Sequence, residues 1–185
     1  MTYEEEIEKE PFAPEVEAAL REAAVGRAPG KLAKLACAQS EDEVFAHLPG
    51  AAAAAFHLGQ FADAKLHAER ALTLAPGYRN NWNYGNALHL GHTVLGLLAL
   101  SEGDVSRAIV ELHASACTEG SPQLNSFGPT MQLAKALLRE GQGVPVFEYL
   151  ERCRVFWEMG GAWLDSWERK IQAGQVPNFF QHSYA

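Results

Sequence analysis

The stretch from Gly59 to Pro76 reads GQFADAKLHAERALTLAP and predicts a helix that follows a tight turn. Gly59 occupies the turn, and Pro76 ends the helix because its ring removes an N–H and clashes with the preceding turn. Phe61 begins one face of this helix and is expected to fill the wider gap there. Three small residues on that face allow close approach of another helix: Ala64, Ala68 and Ala71. The alanine run 51–55 then predicts the first helix of the pair, packed through its own small side chains.

This spacing resembles the tetratricopeptide repeat (TPR), a family of helical-pair solenoids whose members mostly bind peptides or other proteins. A second unit is indicated by Gly103, Val105 and Ala108, which repeat the pattern of Gly59, Phe61 and Ala64. The two glycines are 103 − 59 = 44 residues apart, whereas the family period is about 34. We place the extra residues at the front of the helix leading into Gly103, which is expected to run from about Asn80 to Ser101.

A third unit is expected from Thr130 to Gly141, paired with a helix from Pro145 to about Glu158. A last helix, Trp163 to Ala173, has Trp163 and Trp167 on its inward face and is typical of a solenoid's capping helix. The aromatic tail after it, which ends NFFQHSYA, is expected to fold back onto the body.

The N-terminal part is expected to be less regular. Residues 1–14 are charged and bounded by proline, which indicates a flexible arm. Residues 15–25 and 31–39 predict two short helices, separated by Gly26, Pro29 and Gly30. Ser40 and Glu43 form a capping-box pattern, and Pro49 is expected in the first turn of the helix that follows.

Together these features predict an all-α protein of one domain spanning residues 1–185. The resemblance implies a TPR-like α-α superhelix of antiparallel helix pairs. Its repeat core covers about residues 45–158, and a capping helix and tail cover 162–185.

Composition excludes several classes of partner. The formal net charge of −8 disfavours nucleic acid and membrane surfaces, because binding to phosphates needs a basic face. No apolar run approaches the roughly 20 residues of a spanning helix, and the acidic start MTYEEEIEKE is unlike a signal peptide. Cys37, Cys117 and Cys153 show no paired spacing and are expected to be buried in a reducing cytoplasm.

Two segments contradict local preference. Residues 79–92 read RNNWNYGNALHLGH, with four asparagines and two glycines where a helix is expected. Residues 120–129 read GSPQLNSFGP and are apolar for a simple turn. Such departures are typical of functional or strained places. The structural alternative stays open: the asparagines cap the helix, the glycines permit close packing, and Leu124 and Phe127 anchor a loop.

The repeat register brings both segments to one rim, because the first helices of successive units run parallel. We therefore predict a ligand-binding pocket rich in amide groups with aromatic walls, suited to peptide backbone, amides or sugars. Its candidate residues come from both segments and from the third unit: Trp82, Asn83, Tyr84, Asn86, His89, His92, Asn125, Gln132 and Lys135.

Signatures of catalysis and of metal binding are few. His89 and His92 have i, i+3 spacing, but no carboxylate or thiol complements them, and no His-Glu-x-x-His pattern occurs. No phosphate loop and no GxSxG elbow are present. The other histidines, among them His57 and His182, are expected to be surface or cap residues. We predict no catalytic residue, no metal site and no cofactor.

The function expected from the resemblance is that of a cytoplasmic TPR-like adaptor that binds a peptide or partner protein without turnover. The alternative is a small-molecule-binding protein, either a sensor or a sequestering protein, or an enzyme derived from the scaffold. It would use the Asn/His/aromatic pocket around residues 79–92 and 120–135. Polar residues concentrated in two segments favour a local pocket, whereas polar residues spread along a groove are typical of peptide binders.

Overall fold

The computed structural model describes residues 2–9 and 13–184, and within these ranges every regular element is helical. The α-helices follow one another in this order: α1 (Tyr3–Lys9), α2 (Pro14–Ala36), α3 (Glu41–His57), α4 (Phe61–Leu74), α5 (Tyr84–Ser101), α6 (Val105–Ser115), α7 (Pro122–Phe127), α8 (Gln132–Arg139), α9 (Gly143–Cys153) and α10 (Gly161–Gln172). Short 3₁₀ turns occupy Ala75–Tyr78, Glu158–Gly160 and Phe180–His182. None of the described helices is both long enough and apolar enough to cross a bilayer. The prediction of an all-α protein is therefore confirmed.

Three helix pairs, α3–α4, α5–α6 and α8–α9, are joined by the same glycine turn. Gly59, Gly103 and Gly141 have φ angles of 74°, 81° and 76°, which glycine adopts without steric cost. After each glycine, the next amide donates to the carbonyl five residues earlier, at 2.9–3.0 Å, as in a Schellman motif. The predicted equivalence of Gly59 and Gly103 is confirmed, and Gly141 extends it to the third pair.

Small residues form the contact between α3 and α4, as the sequence predicts. Ala52, Ala55, Ala64 and Ala68 are all fully buried and pack with Val94 and Leu98 of α5. Phe61 differs from the prediction, because it is 48% exposed and its ring lies 5.5 Å from that of Phe56 at the surface. The alanines therefore form the buried part of this contact, and the Phe56 and Phe61 rings meet at its edge.

The largest hydrophobic cluster lies at the C-terminal end, between α6 and α10. Tyr149, Trp157 and Trp167 are buried in it, and the rings of Trp163 and Trp167 are 5.7 Å apart. The inward face predicted for the last helix is thus confirmed. Of the cysteines, only Cys153 is buried, while Cys37 and Cys117 are exposed, so the prediction of three buried thiols is wrong for two of them.

The predicted breaks in the N-terminal half are absent. α2 continues through Gly26, Pro29 and Gly30, and α3 continues through Pro49. Proline removes one hydrogen bond, but Ala24 and Ala28 of α2 are buried, at 3% and 0% exposure. Packing of two helices outweighs the propensity cost, which is the usual source of helix stability in proteins. The capping pattern is present: Ser40 Oγ accepts from the Glu43 amide at 3.2 Å, and the Glu43 carboxylate accepts from the Gln39 amide at 2.7 Å.

The long helix expected from Asn80 begins only at Tyr84. The preceding residues form a 3₁₀ turn and further turns, so part of the extra length between units lies in a connection. The Asn81 side chain accepts from the Asn83 amide at 2.8 Å, which favours a turn over a helix.

The N-terminal arm is also different from the prediction. Residues 3–9 form α1, which packs against α10, and the Glu8 side chain is only 1% exposed. Its carboxylate accepts from the Trp167 indole at 2.8 Å, so a buried hydrogen bond fixes this segment. The expectation for residues 1 and 10–12 lies outside the described residues.

Candidate functional site

The two segments singled out in the sequence do meet. Gly85 lies so close to Gly120 that a Cβ added at Gly85 would overlap the Gly120 carbonyl. The Asn86 amide nitrogen donates to Gln123 Oε1 at 3.0 Å, and its oxygen accepts from Ser121 Oγ at 2.7 Å. The predicted convergence at one rim is therefore confirmed, and the glycine is needed for the close approach.

Beside this junction lies a pocket of about 580 Å³, which we call the tryptophan pocket. Its walls come from the start of α5, from α7 and the residues after it, from residues 157–163, and from the C-terminal residues 181–184. This volume is within the range of small-ligand and side-chain sites. The lining residues that determine its chemistry are Asn86, His89, Phe127, Trp157, Met159 and His182.

The mouth of the tryptophan pocket is apolar and exposed. Phe127 is 76% exposed and Met159 is 75% exposed, whereas the deeper Trp157 and Trp163 are 3% and 8% exposed. Neighbouring large apolar side chains left in water are typical of an interaction site. The prediction that Phe127 anchors a loop is thus wrong, while Leu124 is buried and does anchor α7.

One polar wall of the pocket is a fixed hydrogen-bond network. His89 is buried and contacts the Ser115 carbonyl through Nδ1 at 3.1 Å, so Nδ1 carries the proton. Its Nε2 accepts from the Thr130 amide at 3.1 Å. Burial lowers the pKa of His89 to about 4, and the ring is neutral near pH 7. His89 therefore ties α5 to the segment before α8 and is not free to act as an acid or base.

Two buried polar atoms at the pocket have no hydrogen-bond partner among the described residues. They are Nε1 of Trp157 and Nε2 of His182. The indole of Trp157 is fixed from two sides, because a Cβ at Gly128 or at Gly160 would overlap it. His182 donates through Nδ1 to the Pro129 carbonyl at 3.2 Å, which leaves Nε2 as an acceptor. Burial lowers its pKa to about 4, so this ring is also neutral.

Within the part of the chain that the structure describes, the tryptophan pocket is almost free of formal charge. There, Glu4 is the one carboxylate among its lining side chains, and no lysine or arginine lines it. With His89 and His182 neutral, the walls offer amide, hydroxyl and aromatic groups. Such a site suits an uncharged ligand group with an apolar body.

Of the nine residues predicted for ligand binding, Asn86 and His89 line this pocket. Asn83 does not, because its side chain is buried and donates to the Phe45 and Ala46 carbonyls at 3.0 and 3.3 Å. Asn125 accepts from the Ser121 amide at 3.2 Å and stabilises the turn before α7. The structural alternative therefore describes these two asparagines best.

Trp82 and Tyr84 also lie away from the tryptophan pocket. Trp82 is 53% exposed in the connection before α5. Tyr84 lines a separate polar depression with Arg79 and Cys117. The turn that replaces the expected helical start directs both rings elsewhere.

His92 of α5 contacts the buried Glu111 carboxylate of α6, which the exposed Arg107 also holds. Its Nδ1 lies 2.7 Å from Glu111 Oε2, and Arg107 holds the other carboxylate oxygen at 2.6 Å. Hydrogen bonds from His92 and Arg107 outweigh burial and lower the pKa of Glu111. Within residues 2–9 and 13–184, no group of three or more histidine, cysteine, aspartate or glutamate side chains has metal-site geometry.

Gln132 and Lys135 of α8 contact other parts of the chain itself. Gln132 Oε1 lies 3.2 Å from His57 Nε2, and it lines a second pocket, of about 480 Å³. Lys135 is 5% exposed, donates to the Asn178 carbonyl at 3.2 Å and lies 3.4 Å from Glu17. Burial lowers its pKa. Both residues thus lie on a face of α8 that the chain covers.

Sequence reasoning missed the tryptophan pocket's main walls. Trp157 and Trp163 were interpreted as packing residues, and His182 as a surface residue, yet all three line the pocket. The available signal was the aromatic C-terminal segment, whose predicted return onto the body is confirmed by the burial of Phe179 and His182.

Comparisons of the chain with protein-family models, with curated proteins and with solved structures give no match.

Proposed function

We propose that this is a TPR-like binding protein that recognises a peptide or partner protein at the tryptophan pocket, without turnover. The observation that carries the proposal is the pocket's form: an exposed phenylalanine and methionine at its mouth and buried tryptophans behind them. Interfaces concentrate binding energy where aromatic and methionine side chains enclose a pocket that a partner side chain can fill.

The TPR-like superhelix is part of the same proposal. Three helix pairs with one turn geometry, at Gly59, Gly103 and Gly141, and an alanine contact within the first pair support it. In such an arrangement the first helix of each pair, here α3, α5 and α8, faces a shared groove. The pocket borders α5, and the residues before α8 form another part of its wall. A cytoplasmic location stays an expectation.

The chemistry of the site favours an uncharged, partly aromatic ligand segment. Of the side chains that the structure describes, Glu4 is the only charged one lining the pocket, and a basic or acidic group would gain little there. Met159 offers an adaptable, polarisable contact for aromatic rings.

A small molecule is the second candidate ligand. The observation that favours it is the pair of buried atoms without a hydrogen-bond partner among the described residues, Trp157 Nε1 and His182 Nε2, on residues that line the open pocket of about 580 Å³. Native mass spectrometry of the protein purified from its own source tests this candidate. A bound small molecule at one equivalent would favour it over peptide recognition.

The peptide proposal is tested by selection from a displayed library of short peptides on the immobilised full chain. We expect enrichment of uncharged sequences with an aromatic residue. Phe127→Ser and Met159→Ser should each abolish capture of the enriched peptides, because each removes apolar area at the mouth.

Val155→Ser is the matched control, since Val155 is 77% exposed and lies outside the pocket. It should leave capture unchanged. Peptides that bind the Phe127→Ser variant as well as they bind the original chain would show that recognition occurs elsewhere, and the proposal would be wrong.

A further inference from the structure

The C-terminal residues Asn178–Tyr184, which we call the tail, lie beside residues 129–135 and are held through main-chain and side-chain groups. The Met131 amide donates to the His182 carbonyl at 2.7 Å, and Lys135 Nζ donates to the Asn178 carbonyl at 3.2 Å. Tail side chains add contacts, such as His182 Nδ1 to the Pro129 carbonyl and the buried Phe179 ring against Trp167. Since Phe180–His182 form a 3₁₀ turn, this groove suits a short peptide that makes a similar turn and places an aromatic ring as Phe179 does.

The end of the tail separates two pockets. Tyr184 lines both the tryptophan pocket and the second pocket, which Phe56, His57 and Gln132 also line. The two volumes, about 580 and 480 Å³, therefore adjoin one tail residue. Both pockets therefore border the tail, which fills a groove beside residues 129–135.

The fit of the tail to this groove is imperfect. Phe179 and Phe180 have φ angles of 56° and 27°, a region that non-glycine residues rarely occupy and that costs backbone strain. The tail also buries the unpartnered Nε2 of its own His182 and adjoins the unpartnered Nε1 of Trp157. Each buried polar atom without a partner lowers the stability of the arrangement.

One carboxylate on α1 offsets these costs. Glu8 accepts from the amides of Asn178 and Phe179, at 2.9 and 3.1 Å, and from Trp167 and Lys170. Its side chain is 1% exposed, so these bonds are shielded from water. The residues that lead into the tail, 174–176, are exposed. The tail is thus fixed at its start and connected through a solvent-accessible segment.

We infer that the tail is a displaceable occupant, and that the groove beside residues 129–135 binds in trans an uncharged, aromatic segment of a partner chain that makes a similar turn. This inference rests on the proposed function and specifies its ligand. The segment would present main-chain carbonyls to the Met131 amide and to Lys135 Nζ, as the tail does. Its aromatic side chains would occupy the tryptophan pocket and the second pocket. Release of the Glu8 contacts would open the groove.

The test uses the full chain, its Phe179→Ser variant and a labelled synthetic peptide with the sequence of residues 175–184. Serine removes a fully buried ring from the tail of the variant, so that tail should detach. The peptide keeps its own phenylalanine and still donates to Glu8, so its intrinsic affinity for the groove is unchanged. Apparent affinity scales with the fraction of open groove, and we expect the variant to bind the peptide about tenfold or more tightly than the original chain. The Met131 amide should also exchange with deuterium faster in the unbound variant.

Two controls accompany this comparison. Gln175→Ser alters an exposed residue just before the tail and should change neither affinity nor exchange. A peptide with serine in place of both phenylalanines should bind to neither protein. If Phe179→Ser lowers overall stability, a protease site inserted at residues 174–175 of the original chain gives a second route. Cleavage after folding should let the labelled peptide replace the native tail.

Three results would overturn the inference. The first is faster exchange at Met131 without peptide binding, and the second is unchanged exchange and affinity in Phe179→Ser. The third is a concentration-dependent dimer of Phe179→Ser that excludes the peptide, which would identify a second copy of this chain as the occupant. If peptides selected from the library bind the Phe127→Ser variant as well as the original chain, the proposed function is wrong. The exchange and peptide-binding results would still test the role of the tail separately.

Discussion

Asn86→Ala distinguishes a structural from a ligand-binding role for the residue at the centre of the rim. The Asn86 side chain makes three hydrogen bonds, to Asn83 Oδ1, Gln123 Oε1 and Ser121 Oγ, at 3.0, 3.0 and 2.7 Å. A net hydrogen bond contributes about 0.5–1.5 kcal/mol, and half-burial favours the lower part of that range. Alanine regains about 0.5–0.7 kcal/mol of helix propensity.

The balance is a loss of about 1–2 kcal/mol in the free energy of unfolding, because Ser121 is 6% exposed and its hydroxyl loses an acceptor. For a chain of this length the melting temperature should fall by about 2–8 °C. Calorimetry measures the shift, and Asn80→Ala, at an exposed position in the preceding turn, should stay within about 0.5 kcal/mol.

A double-mutant cycle strengthens the result. Ser121→Ala and Asn86→Ala should be less than additive by about 0.5 kcal/mol or more, since they share one hydrogen bond. An Asn86→Ala protein that melts at or above the original temperature would refute the reasoning, because the asparagine would then contribute nothing to the fold.

Three further predictions concern the fold. Gly59→Ala should cost about 1 kcal/mol on thermal unfolding because of the positive φ, whereas Gly77→Ala should be neutral or stabilising, and equal effects would contradict the turn assignment. Ala64→Leu should cost about 1–3 kcal/mol in urea unfolding, because the site is fully buried, and a cost of a few tenths would mean that no helix packs there. His89 and His182 stay neutral when folded, with pKa values of about 4. The stability that each neutral histidine contributes is therefore complete above about pH 6.5 and is lost as the pH falls towards 4. The free energy of unfolding should fall by up to about 2 kcal/mol per histidine at pH 5. A chain equally stable at pH 5 and pH 7 would contradict this prediction.

The features that local chemistry determines were predictable from the sequence. Gly59 and Gly103 adopt a positive φ angle that favours glycine, and alanines at helical spacing let two helices pack closely. The predicted turns and close helix contacts were therefore correct. The helix breaks at Pro29 and Pro49 were wrong because the burial of α2 against α3 outweighs a single missing hydrogen bond.

The meeting of the two unusual segments was also predictable, because it follows from the register of helix pairs that the sequence predicts. The roles of their residues were not. Asn83 bonds to the Phe45 carbonyl, a partner 38 positions away, and no local pattern identifies such a contact.

The walls of the tryptophan pocket depend on still longer contacts. Glu8 holds Phe179 across 171 positions, and this bond places the tail beside Trp157. A buried carboxylate in an acidic N-terminal segment has no distinguishing sequence signal. The aromatic composition of the C-terminal segment therefore predicted that it folds back onto the body. It did not predict the tryptophan pocket, which that segment completes.

The most direct test of the central claim is a hydrogen–deuterium exchange footprint of the full chain with a peptide selected from the displayed library. The account predicts that bound peptide slows amide exchange in segments 120–130 and 157–163, which line the tryptophan pocket. Slowed exchange confined to α4 and α6, which contribute no residue to that pocket, would contradict the claim.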